Sequence, residues 1–435
     1  MAKNKKTEQA MKWWQDARFG MFIHWGPYTA SHDDCWKMCD QGTPVQEYME
    51  RFEHKFTGEN FDARKLMAFA KSVGFKYVVM TTRHHDGYCL WDTDTTGFSS
   101  TKLTPKRDFI AEFVQAARDE GLGVGMYYSL LDWRFKSYWD GPKNNPATWR
   151  TFTDMVHEQV RELMTRYGKI DVLWYDGQWG ESEDAWGFKV TDEKLAKIWR
   201  SKELNAMARK HQPGILINNR SLLPEDFGTP EKTIVPEARP WELCDTMGFY
   251  WGGSRYDKEQ KTARNIITRL AYCVGRGGNM LLNIGPKEDG IMMGWQKRTL
   301  EQVGQWMQKQ GDCIYGCGGE FQIPFNRDLA PWSSTLKGNT MNMILLRYPG
   351  KQFEIQSTHG YRVVSAHLAD TGQELKVIHE PTRDVIQGLP AQSPDPIASV
   401  VKLKIRPKTS KQLAARHNVG VADPEAVLAA VQRKS

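Results

Sequence analysis

Blocks of hydrophobic and polar positions alternate along the first three quarters of the chain and predict strands and helices in turn. Continuously apolar runs that end in a polar group predict buried parallel strands, and runs with apolar residues at helical spacing predict the helices between them. The predicted strands are 19–26, 77–82, 123–129, 170–176, 215–220, 241–247 and 279–284. The predicted helices are 11–18, 62–73, 108–120, 147–167, 191–210, 257–274 and 294–310.

The regular repetition of strand and helix predicts a parallel sheet covered by helices, and more specifically a (β/α)8-type barrel over residues 1–325. The apolar pattern yields seven strands, so an eighth would have to be irregular. An open, doubly wound sheet is the structural alternative. It is disfavoured because no glycine-rich dinucleotide fingerprint follows the first strand.

The pattern changes after residue 325, where short alternating segments are separated by Gly, Pro and polar turns. This texture predicts a small antiparallel β-sandwich over residues 326–408. The predicted segments are 341–348, 353–356, 362–367, 374–378 and 400–405. Residues 409–435 are expected to form a basic tail with a short helix at 424–432, and no chemistry is evident in either part.

Composition and charge exclude several classes of protein. The net charge is +7, but residues 402–435 hold eight Lys/Arg and two Asp/Glu, so they supply +6 of it and nucleic-acid binding is not expected. No apolar run is long enough to span a membrane, and residues 1–10 lack a leader core. As written, the sequence predicts a cytoplasmic protein. If a leader had been removed beforehand, the remaining sequence would look the same, and the protein would be periplasmic or secreted.

The seven cysteines are expected to be free thiols. Cys35 and Cys39, and likewise Cys313 and Cys317, form C-x3-C pairs without a neighbouring His, which is a poor zinc pattern. Nothing in this pattern of cysteines requires disulfide bonds or an oxidising compartment.

The predicted strand 170–176 ends abruptly at a carboxylate. Strand alternation puts Trp174 and Asp176 on one face, and Gly177 lets the backbone turn away. A charge at the end of a buried strand is costly unless it is paired or functional. An Asp that merely caps the next loop is the ordinary interpretation of a lone Asp-Gly.

Polar residues at the carboxyl ends of barrel strands converge on one mouth. Aromatic faces pack on the C–H groups of a sugar ring, while His, Asn and Arg bind its hydroxyls. The sequence therefore predicts a site for a neutral polyhydroxylated ring, although aromatic residues also suit an ordinary core. The predicted mouth collects His24, His84, His85, Tyr128, Trp174, Asp176, Asn218 and Arg220.

A second acid is expected near Asp176, because glycoside cleavage uses two carboxylates that flank one bond. A rigid strand end suits the nucleophile, and an acid on a loop suits the proton donor. Glu231, Glu237 and Glu242 are all candidates, although each by itself is more simply interpreted as a solvated surface residue.

A catalytic metal is a weaker interpretation of the run His84-His85-Asp86. Adjacent residues of a strand point to opposite faces, so the two imidazoles are poorly spaced for one ion. We expect no metal and no cofactor, and hydroxyl-binding imidazoles fit the pattern better.

Six motifs, in order, resemble the α-L-fucosidases of glycoside hydrolase family 29. They span roughly the first three quarters of the chain, and six in register form a specific pattern. The segment after residue 325 also resembles the accessory sandwich of that family. The motifs are RFGMFIHWG (18–26), HHDGYCLW (84–91), GMYYS (125–129), DVLWYDG (171–177), DFGTPE (226–231) and GGNMLLNIGP (277–286).

The resemblance implies a retaining exo-glycosidase that removes terminal α-L-fucose from fucosylated glycans or fucans without a metal. By the same resemblance, Asp176 would be the nucleophile and Glu231 the acid/base, with Glu237 and Glu242 in reserve. The residues expected to line the fucose pocket are His24, Trp36, His84, His85, Tyr128, Trp174 and Arg220.

One departure from the family concerns the residue before Trp36. Members commonly carry Glu where this chain has Cys35, so a contact to a sugar hydroxyl is lost or moves to Asp33 or Asp34. The alternatives are a related exo-glycosidase acting on another sugar and a non-catalytic carbohydrate-binding protein.

Overall fold

The structure is a computed structural model that describes residues 5–31, 35–40, 42–319, 331–356, 361–381 and 383–407. The chain divides into two compact units, Met1–Gln322 and Ile323–Ser435. The predicted tail at 409–435, its helix at 424–432, and the pair Asp33 and Asp34 lie outside the described residues.

Fourteen strands and twelve helices are numbered here in chain order. The strands are β1 Phe19–Ile23, β2 Tyr77–Arg83, β3 Gly123–Ser129, β4 Val172–Asp176, β5 Leu216–Ile217, β6 Glu242–Thr246, β7 Asn279–Ile284, β8 Trp332–Lys337, β9 Thr340–Leu345, β10 Gln352–Gln356, β11 Tyr361–Leu368, β12 Glu374–His379, β13 Arg383–Gln387 and β14 Ser399–Pro407. The helices are α1 Lys5–Ala17, α2 Lys37–Asp40, α3 Val45–Phe52, α4 Ala63–Val73, α5 Phe109–Asp119, α6 Lys136–Asn144, α7 Pro146–Arg166, α8 Glu183–Trp186, α9 Asp192–Ile198, α10 Ser201–His211, α11 Ala263–Gly275 and α12 Gly294–Gln310.

The first unit contains one parallel sheet in the order β5-β4-β3-β2-β1-β7-β6. All seven predicted strands of this unit are present, and the parallel sheet with intervening helices is confirmed. The edge strands β5 and β6 do not pair directly. Residues 227–231 lie between them, through parallel bridges of Asn218 with Phe227, Gly228 with Trp241 and Glu231 with Cys244. Within the described residues, the first unit therefore has seven parallel strands, and a short segment bridges β5 and β6.

Helix ends follow local chemistry, and two of the predicted helices differ for that reason. The predicted helix 191–210 is broken into α9 and α10, because Arg200 adopts a left-handed backbone with φ 55°. The predicted helix from 257 begins only at Ala263, where Thr262 and Asn265 form a reciprocal capping box. At α4, Asp62 caps the first turn and Gly74, at φ 102°, ends the helix as predicted.

Three aromatic rings fill the sheet interior beneath the carboxyl ends of the strands. Tyr127 of β3 is the register partner of Trp174 of β4, so both side chains project to the same face. Their rings stack with centroids 5.8 Å apart, and Phe22 of β1 lies 5.1 Å from Trp174. These rings close the interior from below and form the floor on which a site can be built.

The second unit is antiparallel, as predicted. Its strands pair in the order β10-β13-β12-β11-β14-β9-β8, and β8 and β13 are additions to the five predicted segments. Strand β12 pairs with β11 through Glu374–Leu375 and with β13 through Lys376–His379. A strand that changes partner in this way can pass between the layers of a sandwich. The hydrogen bonds nevertheless join all seven strands into one sheet, so two separate layers stay a prediction.

Candidate active site

The carboxyl ends of the parallel strands surround a cavity of about 360 Å³. Of the nine predicted site residues, all but Tyr128 lie in its wall. The cavity is lined by Phe22, His24, Cys35, Trp36, His84, His85, Tyr127, Trp174, Asp176, Trp179, Arg220, Glu231, Cys244 and Trp251. A mixed aromatic and polar wall of this kind is typical of a small-molecule site.

Asp176 is the last residue of β4, and its side chain lies in the cavity wall. Oδ2 accepts a hydrogen bond of 2.8 Å from the hydroxyl of Tyr127, and Oδ1 accepts one of 2.9 Å from Nη1 of Arg220. Nε2 of His85 lies 3.8 Å from Oδ2. Gly177 adopts φ 66°, so the backbone turns away directly after the carboxylate. The partners of Asp176 are side chains, so it is not the loop cap of the ordinary interpretation.

Arg220 connects the two acids of the site. Nη1 donates to Asp176, and Nη2 donates to Oε2 of Glu231 at 2.9 Å. Nε donates to Oγ1 of Thr229, and the guanidinium lies 4.6 Å from the ring centroid of Trp174. Burial lowers the pKa of Arg220, but the two carboxylates outweigh it and raise the pKa above its ordinary value. The guanidinium is therefore a permanent positive charge between the acids.

Glu231 reaches the cavity from a segment that is tied to β6. Cys244 N–H donates to the carbonyl of Pro230 at 3.1 Å, and Lys232 N–H donates to the carbonyl of Cys244 at 2.9 Å. The Glu231 side chain is 41 % exposed, so it lies on the open side of the cavity. Its backbone is thus held by strand-like pairing, although the sequence indicated only a loop.

The two reserve acids lie elsewhere. Glu237 pairs with Nε of Arg239 at 3.2 Å. Glu242 is fully buried in β6, where it accepts hydrogen bonds from the hydroxyl of Tyr77 and, at 3.2 Å, from Nε1 of Trp174. Burial raises the pKa of Glu242 to about 7. Neither acid lines the cavity, so Glu231 is the glutamate that shares it with Asp176.

The three histidines of the cavity are buried and uncharged near neutral pH. Burial lowers the pKa of His24 to about 4 and the pKa values of His84 and His85 well below the ordinary value. Nδ1 of His24 lies 2.7 Å from Oδ1 of Asn283, and Nδ1 of His85 lies 2.8 Å from Oγ of Ser129. A neutral imidazole has one donor and one acceptor nitrogen, which suits the recognition of a hydroxyl.

His84 carries an unsatisfied polar atom in the cavity wall. Its ring stacks on Tyr127 with centroids 5.6 Å apart and an interplanar angle of 6°. Nδ1 is buried and makes no hydrogen bond within the part of the chain that the structure describes. A buried nitrogen without a partner is unusual in a native protein and is expected to meet a ligand atom.

The run His84-His85-Asp86 does not assemble as a metal site. The Asp86 carboxylate accepts hydrogen bonds from the hydroxyl of Tyr48 at 2.6 Å and from the backbone N–H of Tyr88 at 3.2 Å. Within the described ranges, no group of three His, Cys, Asp or Glu side chains could hold a metal ion.

The placement of Tyr128 in the pocket is wrong, and its neighbour Tyr127 occupies the site. The hydroxyl of Tyr128 donates to Oε1 of Gln159 at 2.8 Å, on the helix side of the sheet. The cause is strand parity, because Tyr127 is the register partner of Trp174 and Tyr128 therefore points to the opposite face.

Asn218 was also expected in the mouth, but it joins two strands instead. Its side-chain amide donates to the carbonyl of Tyr175 at 2.9 Å and accepts from the Tyr175 N–H at 2.9 Å. It is fully buried, so it fastens the end of β5 to β4.

The cysteines with described side chains are free thiols, as predicted, but sequence reasoning missed two tryptophans and the thiol of Cys244 in the cavity wall. Trp179 stacks on Trp36 with centroids 5.7 Å apart, and Trp251 packs against the imidazole of His24 at 4.8 Å. Trp179 follows Asp176 by three residues, and Trp251 follows β6. Their positions just beyond strand ends were the sequence signal that could have placed them in the cavity. Cys35 and Cys244 also line the cavity, so two thiols form part of its wall.

No described helix is both long and apolar enough to cross a bilayer.

Comparisons with known proteins by sequence and by structure point to one family. The profile of the family described as Alpha-L-fucosidase matches residues 1–312. The chain is similar to tissue alpha-L-fucosidase of Bos taurus, with 29 % identity over 78 % of this chain and 75 % of that protein.

Two solved structures extend the likeness to the fold. Alpha-L-fucosidase isoenzyme 1 from Paenibacillus thiaminolyticus aligns with a TM-score of 0.81 and 33 % identity, over 92 % of this chain and all of that one. A GH29 alpha-L-fucosidase of Bacteroides thetaiotaomicron, described as a trapped covalent intermediate with 2-fluoro-fucosyl fluoride, aligns with a TM-score of 0.81 and 27 % identity, over 92 % and 96 % of the two chains.

Proposed function

The chain belongs to the α-L-fucosidase family of glycoside hydrolases, and from that premise we propose a retaining, exo-acting enzyme with Asp176 as nucleophile and Glu231 as acid/base. The observation that carries the proposal is Arg220, which donates to both carboxylates across one cavity. Two acids that flank one bond are the minimal machinery of glycoside cleavage.

In the first step, the carboxylate of Asp176 attacks the anomeric carbon of fucose and forms a covalent ester. Tyr127 and Arg220 each hold one of its oxygens, so the nucleophile is oriented before substrate arrives. Glu231, on the open side of the cavity, gives its proton to the departing glycosidic oxygen. A trapped covalent intermediate in the Bacteroides relative supports this double displacement.

In the second step, Glu231 removes a proton from water, the water attacks the ester, and fucose leaves with its original anomeric configuration. Arg220 stays charged throughout and stabilises whichever carboxylate is ionised. The acid/base residue can exchange its proton with solvent because its side chain remains exposed.

The fucose ring is bound by the neutral imidazoles and the aromatic wall. His24, His84 and His85 supply hydrogen-bonding nitrogens, and Tyr127, Trp36 and Trp174 supply ring faces. The volume of the cavity, about 360 Å³, suits one terminal sugar, which supports exo-action on fucosylated glycans or fucans. The short bridging segment 227–231 would take the position of an irregular eighth strand of the barrel.

The deciding experiment follows the anomer that is released first from an aryl α-L-fucoside by NMR. Retention predicts α-L-fucose as the initial product, whereas β-L-fucose would reject Asp176 as a nucleophile. A panel of aryl glycosides in the same assay separates fucose from a related sugar, a question raised by Cys35 in the cavity wall.

A further inference from the structure

An exposed aromatic side chain stands beside the cavity on the side of Glu231. Phe249 follows β6, and its side chain is 52 % exposed. Two residues further on, Trp251 forms part of the cavity wall. Phe249 is therefore close to the site in the chain, but it does not line the fucose pocket.

The backbone of this segment is fixed by a buried carboxylate. Asp257 accepts hydrogen bonds from the N–H of Phe249, at 2.9 and 3.1 Å, and from the N–H of Tyr250 at 3.4 Å. A side chain at Gly248 would start 2.0 Å from an oxygen of Asp257, so only glycine permits this approach. The ring of Phe249 is thus presented from a braced turn.

A lysine lies over the same ring. Nζ of Lys232 donates to the carbonyl of Phe249 at 2.9 Å and lies 5.2 Å from the ring centroid of Phe249 and 5.6 Å from that of Trp251. An ammonium has three donors, and within the described residues Nζ makes this one hydrogen bond. Lys232 directly follows Glu231 in the chain, and its ammonium lies near Trp251, a residue of the cavity wall.

The acids of this region are committed to other groups. Asp245 pairs with Arg269 and Lys261, and Asp257 holds the backbone of its own turn. No ion pair joins Lys232 to a carboxylate within the described part of the chain. An ammonium with spare donors and no carboxylate partner favours an anionic group from outside the protein.

The position of this pair relative to the reaction follows from the role of Glu231, and so rests on the proposed function. An acid/base must reach the glycosidic oxygen, which belongs to the leaving group. The leaving group therefore extends outward past Glu231, toward Lys232 and Phe249. The fucose ring itself lies on the other side of that oxygen, against Asp176.

We propose that Phe249 and Lys232 form the leaving-group subsite and select a leaving group that joins a flat ring face to an anionic substituent. The ring face packs on Phe249, and the ammonium of Lys232 binds a carboxylate or a sulfate ester. The substrate class is thus fucose linked to an anionic sugar, either a uronate or a sulfated residue.

The test compares pairs of aryl α-L-fucosides in wild type and Lys232→Met. One pair carries a carboxylate or its neutral carboxamide, and the other carries a sulfate ester or its neutral methyl ether. We expect the anionic-to-neutral ratio of kcat/KM to fall roughly three- to fivefold in the variant, the size of an exposed ion pair. The arm that shows the larger fall distinguishes a uronate from a sulfated sugar.

Two further variants separate charge from packing. Phe249→Ala is expected to lower kcat/KM roughly three- to tenfold for all four aryl substrates, through KM, while leaving the anionic-to-neutral ratio in place. Lys297→Met, which removes an exposed lysine of α12, should match wild type in every comparison.

α-L-Fucosyl fluoride distinguishes failure of the subsite from failure of the enzyme assignment. Its leaving group is a single fluoride, without a ring face or an anionic substituent for the subsite to bind, so Lys232→Met and Phe249→Ala should hydrolyse it at the wild-type rate. If wild type hydrolyses the fluoride but the ratio is unchanged in Lys232→Met, the subsite is rejected and the function stands. If wild type does not hydrolyse the fluoride, the proposed function itself is rejected.

Discussion

The hydroxyl of Tyr127 donates a hydrogen bond of 2.8 Å to Oδ2 of Asp176, from the neighbouring strand of the same sheet. Burial, and then the nearby carboxylate, raise the pKa of Tyr127 well above its ordinary value. The phenol therefore stays protonated near neutral pH and can donate to the carboxylate. This contact orients the carboxylate of Asp176, the proposed nucleophile, from the neighbouring strand of the parallel sheet.

We predict that Tyr127→Phe lowers kcat/KM roughly ten- to a hundredfold, because a hydrogen bond to a charged group contributes about 1.5–3 kcal/mol. The matched control is Tyr128→Phe, which removes a bond to Gln159 on the opposite face. That variant should lose about 1 kcal/mol of stability and keep its kinetics. Equal kinetic losses in both variants would remove Tyr127 from the site.

For Asp176, the Asn variant is expected to lose turnover of an aryl α-L-fucoside by about 10⁴-fold or more, since the nucleophile itself is gone. The fold should survive because Asn is nearly isosteric and Arg220 can still donate to its oxygen. Circular dichroism and inhibitor binding check that integrity. Turnover near the wild-type rate would show that another group attacks.

For Glu231, we predict that the Ala variant is slowed by about 10²–10⁴-fold and is rescued by azide, most strongly with good leaving groups. Azide replaces water at the intermediate, where the general base is missing. The corresponding changes at Glu237 and Glu242, which lie outside the cavity, should show no rescue. Rescue in either of those variants would transfer the acid/base role.

Glu242 predicts a pH dependence of stability. Its pKa in the folded state is raised to about 7 by burial, above the ordinary 4.5, so the folded state binds the proton more tightly. The stabilisation is complete below pH 4.5 and is lost as the pH rises through 7, by about 3 kcal/mol. Glu242→Gln should therefore lose less stability than wild type between pH 4.5 and 8 in urea unfolding. Identical slopes for the two proteins would show that Glu242 does not titrate in this range.

Much of the architecture could be predicted because strand and helix periodicity are local properties. The seven parallel strands, the change to antiparallel texture and the strand end at Asp176 all follow from the spacing of apolar residues. The breaks that were missed, at Arg200 and before Ala263, depend on single backbone conformations and caps that alter the hydrophobic pattern little.

Site residues could be predicted where they end a strand. They could not be predicted where strand parity or a contact distant in sequence decides whether the side chain enters the cavity. Asp176 and the pair His84-His85 lie where the sequence placed them. Tyr127 and Tyr128 are equivalent in local sequence, and only pairing with Trp174 shows which one faces inward. Period-2 alternation defines two faces of a strand but does not say which face is the interior.

By itself, the amino-acid sequence determined the order of elements, the family and the strand that ends at Asp176, because these are encoded in contiguous residues. Only the tertiary structure decided which of three glutamates meets Asp176. Glu237 and Glu242 flank the same stretch of chain as Glu231, yet one pairs at the surface and the other is buried beneath Trp174. The physical reason is that residues 227–231 pair with β6 and direct Glu231 to Arg220, and such long-range pairing leaves no mark on local sequence.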